Sequence, residues 1–224
     1  MALFLPKDRF SLDAFHGTLW SGGAVKSAIH TSEGSFNLGH LEWDFSPSSW
    51  LTLAPKITFQ ANWGDQSILG SWKIGFGDHI EFFDSHGVMD VSTLNQLFLV
   101  SVDGILEWEF DNFFVSFGDK AIGGDGRLVW RGAKTFVNGR DFNLGSYSAD
   151  LVKMSENTTS IELGTLKGPV SIDGTVSISE RGYRTDLKLD GLQEVDTNVV
   201  AFRFLQLMPV VNGVHEIKLE GAFP

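Results

Sequence analysis

The segment Glu107-Trp108-Glu109-Phe110-Asp111 sets three carboxylates at every second position. A strand, with its side-chain period of two, puts such residues on one face about 7 Å apart. That spacing suits a glycosidase pair, one carboxyl serving as nucleophile and the other as acid. Catalysis of this kind also needs a concave, partly apolar setting that separates the two pKa values. The same pattern is the wet face of a strand whose other face is core, and we assign no catalytic residue on it. Asp78, His79, Asp84 and His86 are close in sequence but lack the His-x-His or His-x3-His spacing of a zinc site. Gly75-Phe76-Gly77 lacks a third glycine and a following helix, so it reads as a turn rather than a phosphate cradle. No Gly-x-Ser-x-Gly elbow is present. Neither a metal nor a cofactor is expected.

The elements that carry these residues are short alternating runs. In Leu41-Glu42-Trp43-Asp44-Phe45 and in Leu106 to Asp111, large apolar residues alternate with mainly acidic ones, the pattern of a sheet with one dry and one wet face. Ile217 and Leu219 alternate likewise with Glu216, Lys218 and Glu220. Asp103-Gly104, Asp125-Gly126, Asn138-Gly139, Asp173-Gly174, Asp190-Gly191 and Asn212-Gly213 punctuate the runs. Such dipeptides supply the positive φ of tight hairpin turns, which predicts an antiparallel meander. Helical patterns are few: a capped turn at Ser46 to Leu51, a short helix at Asp90 to Phe98, and an amphipathic helix from Asp196 to Met208 stopped by Pro209. So few helices cannot cover the apolar face. The fold class is all-β with few short helices, the sheet closing on itself as a sandwich, a barrel or a curled half-pipe.

Composition bounds the rest. Of 224 residues, 42% are hydrophobic and 20% charged, enough for a sizeable core. The formal net charge of −11, without a basic cluster, disfavours nucleic acid as a partner. There is no cysteine, which excludes disulfides and thiolate chemistry. The opening Met-Ala-Leu-Phe-Leu-Pro-Lys-Asp-Arg does not read as a signal peptide. No run approaches the roughly 18 apolar residues of a membrane-spanning helix, and the chain as given is expected to be soluble.

A weak repeat is visible. Gly17 to Ala24 with Phe36-Asn37-Leu38-Gly39 is echoed by Gly126 to Ala133 with Phe142-Asn143-Leu144-Gly145. No linker separates the two copies (about 17–45 and 126–150), so one domain over 1–224 is expected. Seven Trp and nineteen Phe remain. Most are expected in a core, Trp20 and Trp43 among them. Leu41, Trp43, Phe45, Leu106, Trp108 and Phe110 form a candidate apolar groove.

The block Gly17-Thr18-Leu19-Trp20-Ser21-Gly22, followed by Leu38 to Pro47, resembles the opening of the type II secretion system protein N family. The likeness continues through Asp125 to Trp130, Leu163 to Gly174 and the closing strand, and so covers nearly the whole chain. It implies a non-enzymatic accessory subunit of the general secretion pathway, in contact with other secretion subunits. It also implies an inner-membrane anchor, one N-terminal helix, that is absent from this chain, and a β domain in the periplasm. The family looks related to lipid-handling proteins with long curled sheets, which fits the half-pipe and a lipid or apolar peptide held in a β-groove. Two alternatives stand beside it: a carrier of hydrophobic ligands with no secretion role, and a β-sandwich glycosidase using Glu107, Glu109 and Asp111.

Overall fold

The computed structural model describes residues 10–30, 35–47, 49, 56–74, 79–97, 101–116, 121–137, 140–155, 158–179, 181–191, 209–211 and 213–222. Fourteen strands follow one another: β1 (Phe10–Gly17), β2 (Ser21–His30), β3 (Ser35–Phe45), β4 (Lys56–Trp63), β5 (Gln66–Ile74), β6 (His79–Asp90) and β7 (Ser101–Ser116) make the first half. The second half is β8 (Ala121–Val137), β9 (Arg140–Ser155), β10 (Thr158–Lys167), β11 (Ser171–Ser179), β12 (Gly182–Asp190), β13 (Val210–Val211) and β14 (Val214–Gly221). All lie in a single sheet, in chain order except that β14 pairs with β12 and β13 sits outside it.

The single sheet rules out a two-sheet sandwich, and β1 does not pair with β13 or β14, so no barrel closes. The curled open meander is what remains. The roll is steep in the second half. β8 and β11 stand three strand spacings apart, about 14 Å in a flat sheet, yet approach within 8 Å Cα to Cα. There Val170 is buried against Phe142, Leu144, Leu189 and Ile217, side chains drawn from β9, β12 and β14.

Among the described residues no α-helix occurs. The element after β6 is a 3-10 helix, Val91–Leu97, started by Asp90, whose carboxylate accepts the Ser92 N–H at 2.9 Å. The turn expected after Ser46 is present, with the Ser49 N–H on the Ser46 carbonyl at 3.1 Å. The helix expected over Asp196 to Met208 lies outside the described residues.

Three of the six Gly dipeptides are not turns. Asp103-Gly104, Asp125-Gly126 and Asp173-Gly174 fall inside β7, β8 and β11. A glycine in a strand marks a bulge or a close approach, and each glycine here sits against a neighbouring side chain or backbone: Gly126, for example, lies under the Phe110 ring. Among the described residues a tight turn with two intervening residues lies at Gly64-Asp65, where Trp63 pairs with Gln66, while Asn138-Gly139 and Asn212 lie outside the described residues. The two copies of the weak repeat are alike in one part and differ in the other. Gly17–Gly22 spans the β1–β2 turn, whereas Gly126–Gly132 is mid-strand. Phe36 to Gly39 and Phe142 to Gly145 are equivalent: in each, Gly and Asn pair with the neighbouring strand while the Leu between them is bulged out.

Candidate functional site: two faces of one sheet

Residues opposite one another on paired strands share a face. Followed strand by strand, the register draws a continuous row: Phe15, Ala24, Leu41, Ala61, Ile68, Gly87 and Trp108 cross β1 to β7. Leu128, Ala149, Leu163, Gly174, Leu187 and Ile217 continue it through β8, β9, β10, β11, β12 and β14. No polar side chain interrupts it. The small members Ala24, Ala61 and Gly87 are buried, but Leu41, Ile68, Trp108, Leu128, Leu163, Leu187 and Ile217 are only half-buried. A second layer would have buried them. Among the described residues the sheet is a single layer, and none of them forms a second layer over its apolar face.

The six groove candidates all fall on this face. Leu41, Trp43 and Phe45 lie on β3, with Trp43 buried at 8% exposure; Leu106, Trp108 and Phe110 lie half-buried on β7. Three strands separate the two sets, bridged by rings that sequence reading did not single out. Phe59 and Trp72 approach to 4.7 Å between ring centroids, Trp72 and Phe82 to 5.6 Å, Phe82 and Phe113 to 5.9 Å, and Phe113 and Phe110 to 5.3 Å. Phe110 and Phe113 share a face only because Asp84 and Asp111 are opposed extra residues in β6 and β7. Asp84 accordingly adopts φ 48°.

Glycines seat these rings. Trp43 is paired with Gly22, Phe59 with Gly70, Trp108 with Gly87 and Phe110 with Gly126. A Cβ on Gly87 would stand 2.3 Å from the Trp108 ring, and one on Gly126 would stand 2.4 Å from Phe110. Each ring therefore lies flat across its bare neighbour, an arrangement that protects the glycine backbone and pins register. A depression of about 400 Å³ near β1 to β5 has a mixed lining, with the polar His16, Glu42 and Gln60 beside Trp43 and Phe59.

One residue further along each strand the register draws the opposite row. His16, Gly23, Glu42, Gln60, Leu69, His86, Glu109 and Arg127 lead into Asp150, Glu162, Thr175, Asp186 and Lys218, polar at all but Gly23 and Leu69. Ion pairs stud this face: Arg127 with Asp150 at 3.3 Å and Arg184 with Glu220 at 3.3 Å. Glu107, read from sequence as a bare surface carboxylate, is bonded by the Arg131 guanidinium at 2.8 Å. Glu109 faces Arg127 across the ladder, and Asp111 is bulged and exposed. The three carboxylates thus sit on the charged face or at its bulge, among cations and water, not on the apolar face. Of the metal candidates, Asp78 and the His79 side chain lie outside the described residues; Asp84 and His86 are exposed on β6.

The block Gly17 to Gly22 forms the β1–β2 turn. The Thr18 hydroxyl accepts the N–H groups of Trp20 and Ser21 at 3.2 and 3.1 Å. Trp20, expected in the core, is 47% exposed and sets its edge against Phe45 at 5.5 Å.

Among the described residues no helix is long and apolar enough to cross a membrane. Comparison with known proteins finds a match to the family model of the type II secretion system (T2SS), protein N, over residues 8–200. No curated protein and no solved structure matches. The chain belongs to the type II secretion system protein N family, and is thereby an accessory component of that secretion system.

Proposed function

We propose that this type II secretion system protein N acts by contact, without catalysis, as a single periplasmic β domain whose curled sheet offers its apolar face as a groove. The observation that carries the reading is the unbroken row from Phe15 to Ile217, half-buried along most of its length with no second layer above it among the described residues. Contiguous apolar surface on this scale marks an interaction site in soluble proteins. An acyl chain or an apolar peptide segment lying across the strands satisfies it. The charged face, one residue out of step, keeps the exterior in water and leaves the groove as the apolar contact. Partners are other secretion subunits, which family membership supports. A glycosidase has no support from the geometry, since Glu107 and Glu109 face arginines rather than an apolar cleft.

Titration of the native protein with a fluorescent fatty acid, in the absence of detergent, tests this. Saturable binding with a micromolar dissociation constant, about −8 kcal/mol, is expected. Binding confined to the acid-expanded state would mean that the face is sealed in the native fold, and the groove would be abandoned.

A further inference from the structure

The corner where β1 turns into β2 carries Phe15, Leu19 and Trp20, which stay 48%, 49% and 47% exposed. Side chains of this size are normally drawn inside. The turn that holds Leu19 and Trp20 is nevertheless closely bonded to its own backbone and to β3. Gly17 takes φ +81°, where a Cβ would lie 2.6 Å from the Ser21 carbonyl oxygen. The Thr18 N–H donates to that same carbonyl at 2.8 Å. The Leu19 carbonyl accepts the Trp43 indole N–H at 3.3 Å, and the Trp20 carbonyl accepts the Phe45 N–H at 2.6 Å. The main chain of the turn is thus fixed to β3 while its large side chains are displayed. Such an anchor loses little entropy on docking, the property that makes aromatic residues on rigid supports dominate interfaces.

The charges nearby select the partner. Asp44, exposed, is the register partner of Ser21, and exposed Glu42 pairs with Gly23. Of the nearby cations, Lys26 of β2 stands opposite Asp13, five residues from Ser21, and Lys56 belongs to β4, two strands from the turn. With a net charge of −11 on the whole chain, this border repels an anionic bilayer surface and attracts a basic rim.

We propose that the Phe15, Leu19 and Trp20 corner docks another protein of the secretion assembly, through an apolar pocket bordered by lysine or arginine. The proposal uses family membership and stands whether or not the groove binds a chain. Photocrosslinking tests it: benzoylphenylalanine replaces Leu19 in the full-length protein in secreting cells, with the same probe at Thr175 on the charged face as control. The expected adduct is a single subunit of the type II machinery, joined at a peptide containing Lys or Arg. Asp44→Lys should cut its yield several-fold. No adduct above the Thr175 control, an adduct with a second copy of this chain, or a yield indifferent to Asp44→Lys overturns the proposal. So does Trp20-dependent sedimentation with phosphatidylglycerol vesicles, which would assign the corner to the bilayer. The variant Leu19→Ser/Trp20→Ser should melt within a few degrees of the parent; a large loss would return both side chains to the core and also defeat the proposal.

Discussion

Two rows of residues, one step apart along the same strands, divide the work of this molecule. The row through Leu41, Trp108 and Leu187 is apolar from β1 to β14, whereas the row through Glu42, Glu109 and Asp186 is polar over almost the same span. Both run across one layer of backbone. This sheet is stabilised mainly from one side: rings and aliphatic chains meet on the curled apolar face, while the ion pairs opposite are solvated and contribute little. A one-residue slip of register would exchange the two rows in any strand. Bulges and glycine seats, rather than a covering layer, hold that register in place.

Variants on the apolar face should therefore be the costly ones. Trp43→Ala removes the most buried ring of the sheet and, at about 3–5 kcal/mol, should give the largest loss in chemical denaturation. A variant that melts with the parent would mean that the apolar face is not the core. Gly87→Val should come next. Its side chain would occupy the space of the Trp108 ring, 2.3 Å from the position of a Cβ, and overpacking of this kind costs about 1–3 kcal/mol. Near-ultraviolet dichroism should show Trp108 displaced; an unchanged spectrum would deny the glycine seat.

A smaller effect is expected where the second half curls. The Tyr147 hydroxyl is shared between the Leu144 and Val170 carbonyls at 2.5 and 3.1 Å, and burial pushes its pKa up from 10.0 to about 12. A folded-state pKa above the unfolded one gives stability that is complete below pH 10.0 and lost as pH climbs through about 12. Tyr147→Phe should cost about 1 kcal/mol at neutral pH and should flatten that alkaline slope. A slope identical in the variant would place the titration elsewhere. On the charged face, Glu107→Gln breaks the pair with Arg131 and should move stability by no more than about 0.5 kcal/mol. A loss comparable to that of Trp43→Ala would erase the contrast between the faces.

Much of this contrast is legible in the sequence, because alternation is local. Leu41-Trp43-Phe45 and Leu106-Trp108-Phe110 announce their shared face from composition alone. Pairing is not local, and what depends on it stays hidden. That Gly126 lies under Phe110 rather than in a turn requires knowing that β7 and β8 pair at those residues. The ring chain through Trp72, Phe82 and Phe113 requires the paired extra residues Asp84 and Asp111. Composition puts Trp20 in the core with most large rings; the turn that the Thr18 hydroxyl ties there, with Trp20 exposed on it, is set by local hydrogen bonds that composition does not reveal. Sandwich, barrel and half-pipe share one strand pattern and differ only in which edges meet.

If the apolar face is open in the native protein, tryptophan quenching by a brominated fatty acid reads it at the residue concerned. With detergent absent, emission should fall saturably in the micromolar range, and Trp108→Phe should remove the largest share of the quench. Emission that is indifferent to the brominated chain, while the same lipid quenches the acid-expanded protein, would show a sealed face and contradict the account.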